Sequence, residues 1–420
     1  MKAFLYYFIY ITVGLMGMLV MPFYLFLRMI KGKEMPRSLL HRFGLMKISA
    51  VDKKTIHIHA ASVGELNSAI KLIKLYQNAE YRVILTTTTR ASHEIVKKKL
   101  NGDVEHYFFP YDILPIMILF LKKLSPQKAV FIESEIWPAY LLSARIHNIP
   151  VYLVSARISE RSMKKWQRHA EFAKSIFGSY KKILAQSTHD AQKFSSLVQS
   201  SQLSNVKYIG NLKYDTEIPA IHTDILQKLE GSIAGYTIIL AASTHPGEED
   251  MILDAYKQIH DQNEKTKLII AVRHINRSAE VLELAKEYGF TAELHSQKQG
   301  QIDADIYIND TIGQMGDFYK IAHLVIMCGS FKDKIGGHNP IEAAYFDNII
   351  LTGIYFANQQ EIYENFFGSN AAILMNNVTD LADIYDKYKL GKYDHYCDNA
   401  KKLVENYSNI TDLVFYETQT

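Results

Sequence analysis

The chain has 420 residues, a formal net charge of +3 and two cysteines. Its length exceeds the size at which a single hydrophobic core usually stops growing, so two domains of roughly 180 to 200 residues are expected. The small net charge and the scattered basic residues give no reason to expect a nucleic-acid partner. Cys328 and Cys397 are too few for a disulfide framework or a cysteine metal site, and we expect both to be packing residues.

The N-terminus carries 25 consecutive residues without a formal charge, residues 3–27. This run is long enough to cross the hydrocarbon layer with some tilt, and it lacks a signal-peptide cleavage site, so we expect a retained membrane anchor. Gly14, Gly17 and Pro22 leave open a broken helix that only enters the bilayer. A cationic flank follows and places the next domain on the cytoplasmic side by the positive-inside rule. It consists of Arg28, Lys31, Lys33, Arg37 and Arg42.

After the anchor, short apolar runs alternate with helical stretches, which is the βαβ pattern of a parallel sheet. The first series of predicted strands is 55–59, 82–87, 129–133, 150–154, 182–186 and 206–209. The second series is 237–242, 267–272, 305–308, 324–328 and 348–351. Residues 214–235 lie between the series, are polar and contain Pro219, which indicates a linker. The sequence thus predicts two doubly wound α/β domains that bind ligands in a cleft outside the carboxyl ends of the strands.

The segment HAASVGE, residues 59–65, puts a carboxylate at the junction between the first strand and a helix predicted over 66–75. Glu65 is expected in the first turn of that helix, where free N–H groups and the helix dipole favour an ionised carboxylate. Such a group can act as a base that is already deprotonated at neutral pH. Acidic residues in first turns are more often only stabilising, so this pattern alone leaves both interpretations open.

Two further carboxylates lie at the end of the third predicted strand: Glu133 closes it and Glu135 lies two residues beyond. A buried carboxylate at a strand end is costly without a partner, so Glu133 is expected to have a counter-charge or a catalytic role. Alternation along a strand would point the two side chains to opposite faces, which argues against a simple acid pair. Glu135 is expected to cap the helix near Pro138. Arg157, in the next loop, is as consistent with a salt bridge as with a substrate ligand.

The second domain carries a glycine-rich loop, with Gly329 at its start and GGHNPIEAA over residues 336–344. Glycines let the backbone approach a ligand and a helix N-terminus attracts phosphate, so a nucleotide site is expected here. Asn339 is expected to cap the helix, Pro340 to occupy its first position and Glu342 to hold ribose hydroxyls. The loop is neither a phosphate-binding loop nor a dinucleotide fingerprint, which disfavours ATP hydrolysis and NAD chemistry. A simple Asn-Pro helix start is the alternative.

Arg273 directly follows the strand over 267–272 and is expected to bind a nucleotide phosphate, whereas His274 beside it is expected to be structural. Before another helix, Glu248 and Glu249 are interpreted as ordinary first-turn acids. The acidic pair in residues 303–305 precedes its strand, so we expect a solvated loop and predict no metal site.

Seven segments occur in order behind the apolar N-terminal run: HAASVGE, ESEIWP, SARIS, GNLKYD, AASTHPGEE, the Arg-His pair after a strand, and GGHNPIEAA. Together they resemble the 3-deoxy-D-manno-octulosonic acid (Kdo) transferases of lipopolysaccharide assembly over nearly the whole chain. The resemblance implies the GT-B fold, with two Rossmann-like domains facing a cleft behind an N-terminal membrane-anchoring helix. Residues 1–32 would be the anchor, 33–215 the acceptor-binding domain and 216–420 the CMP-sugar-binding domain, with the C-terminal helix able to pack back on the first domain.

The same resemblance implies an inverting, metal-independent transfer of Kdo from CMP-Kdo to the lipid A precursor lipid IVA, without a cofactor, on the cytoplasmic face of the bacterial inner membrane. Glu65 would be the general base, and Glu133 and Lys213 would stabilise the transition state. The family carries an acidic residue where this chain has Gln314. The implied CMP-binding residues are Val272, Arg273, Ile312, Gly313, Gln314, Asn339, Pro340, Ile341 and Glu342.

Positive groups such as Arg273 and Lys213 suit the departing phosphate of CMP, and the basic residues after the anchor are expected to meet phosphates of the acceptor. Two alternatives remain at this stage. One is another GT-B-fold nucleotide-sugar enzyme, a UDP-sugar transferase or an epimerase. The HAASVGE loop behind an anchor disfavours it. The other is a non-catalytic membrane-anchored binding protein, which would have no need of Glu65.

Overall fold

The computed structural model describes residues 2–30, 34–49, 51, 53–100, 102–216, 218–262 and 265–419. Lys31 and Lys33 of the predicted cationic flank lie outside these residues. The chain divides into two compact units, Met1–Thr216 with Asn409–Thr420, and Glu217–Ser408. The sequence prediction placed the division between residues 215 and 216.

The first unit is built on a parallel sheet that has seven strands within the described residues, in the order β3-β2-β1-β4-β5-β6-β7. The strands are β1 (Thr55–His59), β2 (Arg82–Thr87), β3 (Glu105–Phe108), β4 (Lys128–Ile132), β5 (Val151–Ala156), β6 (Lys182–Ala185) and β7 (Val206–Tyr208). The helices are α1 (Lys2–Ile30), α2 (Pro36–Arg42), α3 (Val63–Asn78), α4 (Arg90–Leu100), α5 (Leu114–Leu124), α6 (Pro138–Ile146), α7 (Glu160–Arg168), α8 (Ala170–Phe177) and α9 (Thr188–Leu197).

The second unit repeats this architecture, with a parallel sheet of seven strands among the described residues in the order β10-β11-β9-β8-β12-β13-β14. The strands are β8 (Thr237–Thr244), β9 (Thr266–Val272), β10 (Ala292–Leu294), β11 (Ile306–Asn309), β12 (Leu324–Met327), β13 (Ile349–Thr352) and β14 (Ile373–Leu374). The helices are α10 (Thr223–Ser232), α11 (Glu248–His260), α12 (Ser278–Glu287), α13 (His295–Lys298), α14 (Met315–Ile321), α15 (Ile341–Ala344), α16 (Gln360–Gly368), α17 (Leu381–Lys389) and α18 (Asp394–Asn406). The last helix, α19 (Ile410–Gln419), packs on α3 of the first unit.

The central strands are buried along their whole length, as β1, β4, β5 and β9 show. Strands covered by helices on both faces read as continuous apolar runs, and for that reason the sequence predicted them. The order of each sheet reverses once near its centre, between β1 and β4 in the first unit and between β8 and β12 in the second. Ligands of open α/β sheets bind outside the carboxyl ends of the strands at such a reversal, so the loops after these four strands are the candidate sites.

Two parts of the sequence prediction were incomplete or wrong. The edge strands β3, β10 and β14 were not predicted, because a strand with one neighbour is short and less apolar. Within the linker predicted over residues 214–235, residues 223–232 form helix α10, of which only Leu229 is buried. The apolar residues Ile225, Leu226 and Leu229 have helical spacing, but the segment is otherwise polar and was therefore interpreted as a linker.

Helix α1 contains Pro22 and is, among the described residues, the one helix long and apolar enough to cross a membrane. One of its faces packs against the first unit. The Tyr10 hydroxyl donates to Asp112 Oδ2 at 2.6 Å, and Leu25 is only 1% exposed. The opposite face exposes large apolar side chains, including Phe4, Phe8, Val13, Met16, Leu19, Val20, Phe23, Leu27 and Ile30.

Candidate active site

Glu65 lies in the first turn of α3, as predicted, and the loop after β1 holds its carboxylate. Ser62 caps the helix, because its Oγ accepts a hydrogen bond from Glu65 N at 3.2 Å. The carboxylate folds back on the same loop. Its Oε1 accepts from Ser62 Oγ at 2.8 Å, and its Oε2 accepts from Ala61 N at 2.7 Å. Both oxygens therefore have a donor and the side chain is fixed.

The environment of Glu65 makes it a stronger base than an ordinary carboxylate. Burial, followed by the negative charge of Glu135, raises its pKa from 4.5 to about 7, although the donors Ser62 and Ala61 oppose the shift. Desolvation thus outweighs the helix N-terminus, so Glu65 is only partly ionised at neutral pH and not already deprotonated as expected. A carboxyl group with a pKa near the working pH can take a proton from a substrate hydroxyl while a substantial fraction of it is ionised.

Glu133 follows β4 and has two cationic partners, so the expectation that it needs a counter-charge is confirmed. Lys213 Nζ lies 3.1 Å from its Oε1, and Arg157 Nε lies 3.3 Å from its Oε2. The residue has a φ of 60°, in the left-handed region that a side chain rarely adopts. Backbone strain of this kind persists where surrounding contacts enforce it, and it is concentrated at functional sites.

Glu135 does not cap a helix, contrary to the sequence prediction. Its Oε2 accepts from Trp137 Nε1 at 2.8 Å and lies 3.2 Å from His59 Nε2. Helix α6 is capped instead by Asp112, whose two oxygens accept from the backbone N–H groups of residues 139 and 140. No local pattern could predict this cap, because Asp112 is 27 and 28 residues away from the groups it binds.

The second unit presents the predicted CMP-binding residues at the carboxyl ends of its strands. Val272 ends β9, and the exposed Arg273 follows it, with its backbone N–H bonded to Thr244 O at 3.0 Å. Residues 312–314 follow β11, where Ile312 is 68% exposed and Gly313 has a φ of 98°. Residues 339–342 follow β12 and lead into α15.

The start of α15 differs from the prediction by one residue. Pro340 lies at the cap position instead of the first helical position. The Asn339 side chain still accepts a hydrogen bond from a helical N–H, that of Ile341, at 3.0 Å. Glu342 lies in the first turn, as predicted.

The glycine-rich loop has the backbone geometry that its sequence predicts. Gly329, Gly336 and Gly337 all have a positive φ. A Cβ at Gly337 would lie 2.9 Å from the Phe356 Cα, so this position has no room for a side chain.

The sequence suggested that Glu248 is an ordinary first-turn acid. In the structure it acts instead as a brace, because its carboxylate holds the backbone of this loop in place. It is fully buried and accepts from the backbone N–H groups of Gly329 at 2.8 Å, Phe331 at 3.1 Å and His245 at 3.0 Å. Burial raises its pKa. Glu249 is also fully buried and pairs with Arg277 at 2.7 Å. First-turn position alone could not reveal the contacts with Gly329, Phe331 and Arg277, because these residues follow other strands.

Two histidines that sequence reasoning did not single out meet beside the same loop. His245 Nε2 and His338 Nε2 lie 2.9 Å apart, and the rings are stacked with a 10° interplanar angle. Burial lowers both pKa values, that of His338 to about 4. At neutral pH the pair is therefore uncharged, with one ring donating to the other. Among the described residues, no group of three or more His, Cys, Asp or Glu side chains could hold a metal ion.

Comparison with known proteins agrees with the resemblance noted in the sequence. The family model described as 3-Deoxy-D-manno-octulosonic-acid transferase (kdotransferase) matches residues 37–216. The 3-deoxy-D-manno-octulosonic acid transferase of Rickettsia bellii is 32% identical over 419 residues, covering 97% of this chain and 97% of that protein. The enzyme of the same name from Rickettsia felis is 33% identical over 367 residues, covering 86% of this chain and 78% of that protein.

A solved structure shows the same fold. The crystal structure of a glycosyltransferase from Rickettsia africae matches with a TM-score of 0.56 at 16% identity, covering 87% of this chain and 99% of that one. Together with the two parallel sheets, this match confirms the predicted GT-B fold. The identity and coverage of the Rickettsia bellii enzyme establish more than the fold. The chain belongs to the 3-deoxy-D-manno-octulosonic acid transferase family and is a glycosyltransferase.

Proposed function

We propose that this chain transfers Kdo from CMP-Kdo to lipid IVA with inversion, and that Glu65 is the general base. The observation that carries the proposal is the position of Glu65 at a strand end, held by Ser62 and Ala61, with a pKa of about 7. Family membership supports Kdo as the transferred sugar.

In this reaction Glu65 takes the proton of an acceptor hydroxyl while the oxygen of that hydroxyl bonds to the anomeric carbon of Kdo. The bond from that carbon to the CMP phosphate breaks, and CMP leaves with the bonding electrons. A single displacement inverts the anomeric centre. Positive charge near the reacting groups offsets the charge that develops. Lys213, held 3.1 Å from Glu133, and the exposed Arg273 are the cations that we assign to this task.

We assign donor binding to the strand-end loops of the second unit. The backbone of the glycine-rich loop and the N–H groups near Asn339 suit a nucleotide phosphate. The residues proposed to bind CMP are Val272, Arg273, Ile312, Gly313, Gln314, Asn339, Pro340, Ile341 and Glu342. We propose that the reaction needs no metal ion and no cofactor, so transfer is expected to persist in EDTA.

The direct test is incubation of the purified full chain with CMP-Kdo and the tetraacylated lipid A precursor, followed by mass spectrometry. The expected product carries one or more added Kdo residues. A UDP-sugar in place of CMP-Kdo serves as the matched negative donor. Absence of Kdo addition, or transfer from the UDP-sugar instead, would refute the proposed substrates.

We further propose that α1 attaches the protein to the cytoplasmic face of the bacterial inner membrane. Its outer face is apolar, while Tyr10 and Leu25 fix its inner face to the first unit. This arrangement suits a helix that lies in one leaflet, because apolar side chains on one face of an interfacial helix bury in the acyl region. Arg42 does not fit the predicted contact with acceptor phosphates. It is 5% exposed and bonds to Glu34 and two backbone carbonyls inside the unit.

The membrane proposal is tested by vesicle flotation of the full chain. Leu19→Glu and Phe23→Glu, both on the exposed face, are expected to reduce binding to vesicles, since each puts a charge into the leaflet. Val51→Glu, an exposed apolar position outside α1, is the matched control. Equal flotation of all three variants would count against this attachment.

A further inference from the structure

A chain of hydrogen-bonded side chains runs through the core of the first unit and ends at Glu135. Tyr140 Oη lies 2.6 Å from His57 Nδ1, and His57 Nε2 lies 2.8 Å from Thr86 Oγ1. Thr86 Oγ1 in turn lies 2.9 Å from His59 Nδ1, and His59 Nε2 lies 3.2 Å from Glu135 Oε2. The first four residues are completely buried. Burying polar side chains costs free energy unless each of them is hydrogen-bonded. This series of side chains therefore needs its hydrogen bonds, or a functional role, to offset that cost.

The chemistry of the groups sets the direction of the hydrogen bonds. Burial holds the pKa of Tyr140 well above its usual value and the pKa of His57 well below its own, so a phenol meets a neutral imidazole. Within the described residues, the Tyr140 hydroxyl bonds to no acceptor other than His57 Nδ1, so it donates there. His57 then donates through Nε2 to Thr86, Thr86 donates to His59 Nδ1, and His59 Nε2 donates to Glu135.

Every bond of the chain thus points toward one carboxylate. Glu135 Oε2 also accepts from Trp137 Nε1 at 2.8 Å, so two N–H donors fix its position. Both bonds end on the same oxygen, Oε2, which accepts in each of them.

The loop after β1 binds both carboxylates: His59 Nε2 lies 3.2 Å from Glu135 Oε2, and Ala61 N donates to Glu65 Oε2 at 2.7 Å. The charge of Glu135 therefore acts on Glu65. After burial, it is the largest cause of the raised pKa of Glu65, ahead of Glu133. The other groups that face Glu65 are the hydroxyl of Ser62 and the backbone N–H of Ala61, which both lower its pKa. Lys213 and Arg157 act on Glu133, to which they are paired.

We propose that Glu135 is a positioning residue, whose charge is held beside Glu65 by the Tyr140–His57–Thr86–His59 chain and sets the base strength of Glu65. This inference rests on the proposed role of Glu65 as the general base. A carboxylate with an ordinary pKa is a poor acceptor for the proton of a sugar hydroxyl. The buried chain thus gives the transferase a stronger base without placing another reactive group at the substrate.

The test compares pH profiles of Kdo transfer for the full chain and three variants. Glu135→Gln removes the charge, while its side-chain oxygen can still accept from Trp137 and His59. The midpoint of the acid limb of kcat is expected to move from near pH 7 toward 4.5 without reaching it, because burial remains. Turnover above the midpoint is expected to fall roughly 3- to 10-fold, since the base is weaker, and KM for CMP-Kdo is expected to stay unchanged.

Tyr140→Phe removes only the first hydroxyl of the chain, and its midpoint is expected to shift in the same direction by less. If Glu135→Gln does not fold, Tyr140→Phe still tests the inference. Glu171→Gln, at an exposed site on α8, is the matched control and is expected to keep the wild-type profile.

An unchanged midpoint in active Glu135→Gln and Tyr140→Phe would overturn this inference. Complete loss of transfer in a folded Glu135→Gln would also overturn it, because Glu135 would then take a direct part in the chemistry. The proposed function fails separately. If Glu65→Gln transfers Kdo at the wild-type rate, Glu65 is not the base, whatever the Glu135 variants do.

Discussion

The strand-end loops of the two units differ in the groups they present, although the sheets beneath them are alike. In the first unit, the loops after β1 and β4 present side-chain carboxylates, Glu65 and Glu133, each with donors or cations around it. In the second unit, the loops after β8 and β12 present main-chain groups. The glycines there have a positive φ. Of the two buried carboxylates, Glu248 is bonded to three backbone N–H groups and Glu249 is paired with Arg277.

Under the proposed function, this difference assigns the two units different tasks. Proton transfer needs an ionisable group whose environment shifts its pKa, and the first unit provides one by partial burial and a neighbouring charge. Ligand binding needs a fixed backbone that a phosphate can approach, and the second unit provides it with glycines and a brace. Variants in the two units are therefore expected to affect different quantities.

The largest effect is expected from the loss of the proposed base. Glu65→Gln and Glu65→Ala should lower transfer by about 10²- to 10⁴-fold, because proton abstraction is lost. Binding of CMP-Kdo, measured by calorimetry, should be unchanged, since the residues proposed to bind the donor belong to the second unit. In the wild type, kcat should rise with pH through about 7 as Glu65 loses its proton.

Gly337→Ala is the matched variant in the second unit. A Cβ there meets the Phe356 Cα at 2.9 Å, so donor binding should weaken. If Glu65→Gln weakened binding of CMP-Kdo as much as Gly337→Ala does, this result would contradict the proposed division of tasks between the units.

The next largest effect concerns Glu248. Glu248→Ala leaves three buried backbone N–H groups without an acceptor and should lower the free energy of unfolding by about 3 to 5 kcal/mol. Urea unfolding gives this value, and donor binding should weaken in parallel because the loop loses its brace. Asp250→Ala, in the same first turn, should cost only a few tenths of a kcal/mol. Equal losses in the two variants would return Glu248 to the ordinary first-turn role that its position suggests.

Glu65 is also expected to show a cost in stability. Its folded-state pKa is raised from 4.5 to about 7, so the folded protein binds this proton more tightly than the unfolded chain does. The stability gained is fully present below pH 4.5 and is lost as the pH rises through about 7. Glu65→Gln cannot ionise and keeps that stability. Between about pH 5 and about pH 8, the free energy of unfolding of Glu65→Gln should rise relative to that of the wild type by roughly 2 kcal/mol, after a discount for partial exposure.

The control for this trend is Glu171→Gln, whose exposed side chain should give no change with pH relative to the wild type. If the difference in free energy of unfolding between Glu65→Gln and the wild type also stayed constant with pH, the Glu65 carboxylate would not be desolvated.

The sequence predicted the parts of this molecule that depend on neighbours along the chain. The central strands were found because burial on both faces makes them apolar throughout, and Glu65 was placed in the first turn because Ser62 and the helix lie within a few residues. The edge strand β3 and helix α10 escaped detection because few of their side chains are buried.

Contacts between distant segments decide the remainder. The state of Glu65 depends on Glu135, which is 70 positions away, and on burial that no local pattern records. His57 and His59 read as strand residues, and only the fold brings them to Thr86, Tyr140 and Glu135. The resemblance to the family supplied Lys213, for which the local sequence gave no reason, and the structure brings it to Glu133.

The smallest expected effect comes from backbone strain. In the first unit a residue with a side chain adopts a left-handed φ, whereas in the second unit a glycine does. Glu133 has a φ of 60°, whereas Gly337 has one of 75°. Glu133→Gly and Glu133→Ala both remove the carboxylate and free the same two cations, so those losses cancel in the comparison. Glycine tolerates this backbone and alanine does not, so Glu133→Gly should be the more stable by about 1 kcal/mol.

Urea unfolding of the two Glu133 variants measures this difference, and Gly337→Ala should show a loss in the second unit for the same reason. Transfer should be equally impaired in both Glu133 variants, because the missing group is the carboxylate and not the backbone. If Glu133→Ala were as stable as Glu133→Gly, the backbone at the end of β4 would relax freely. The left-handed φ would then not serve to aim Glu133 at Lys213, and the two units would not differ in how they hold their strand-end loops.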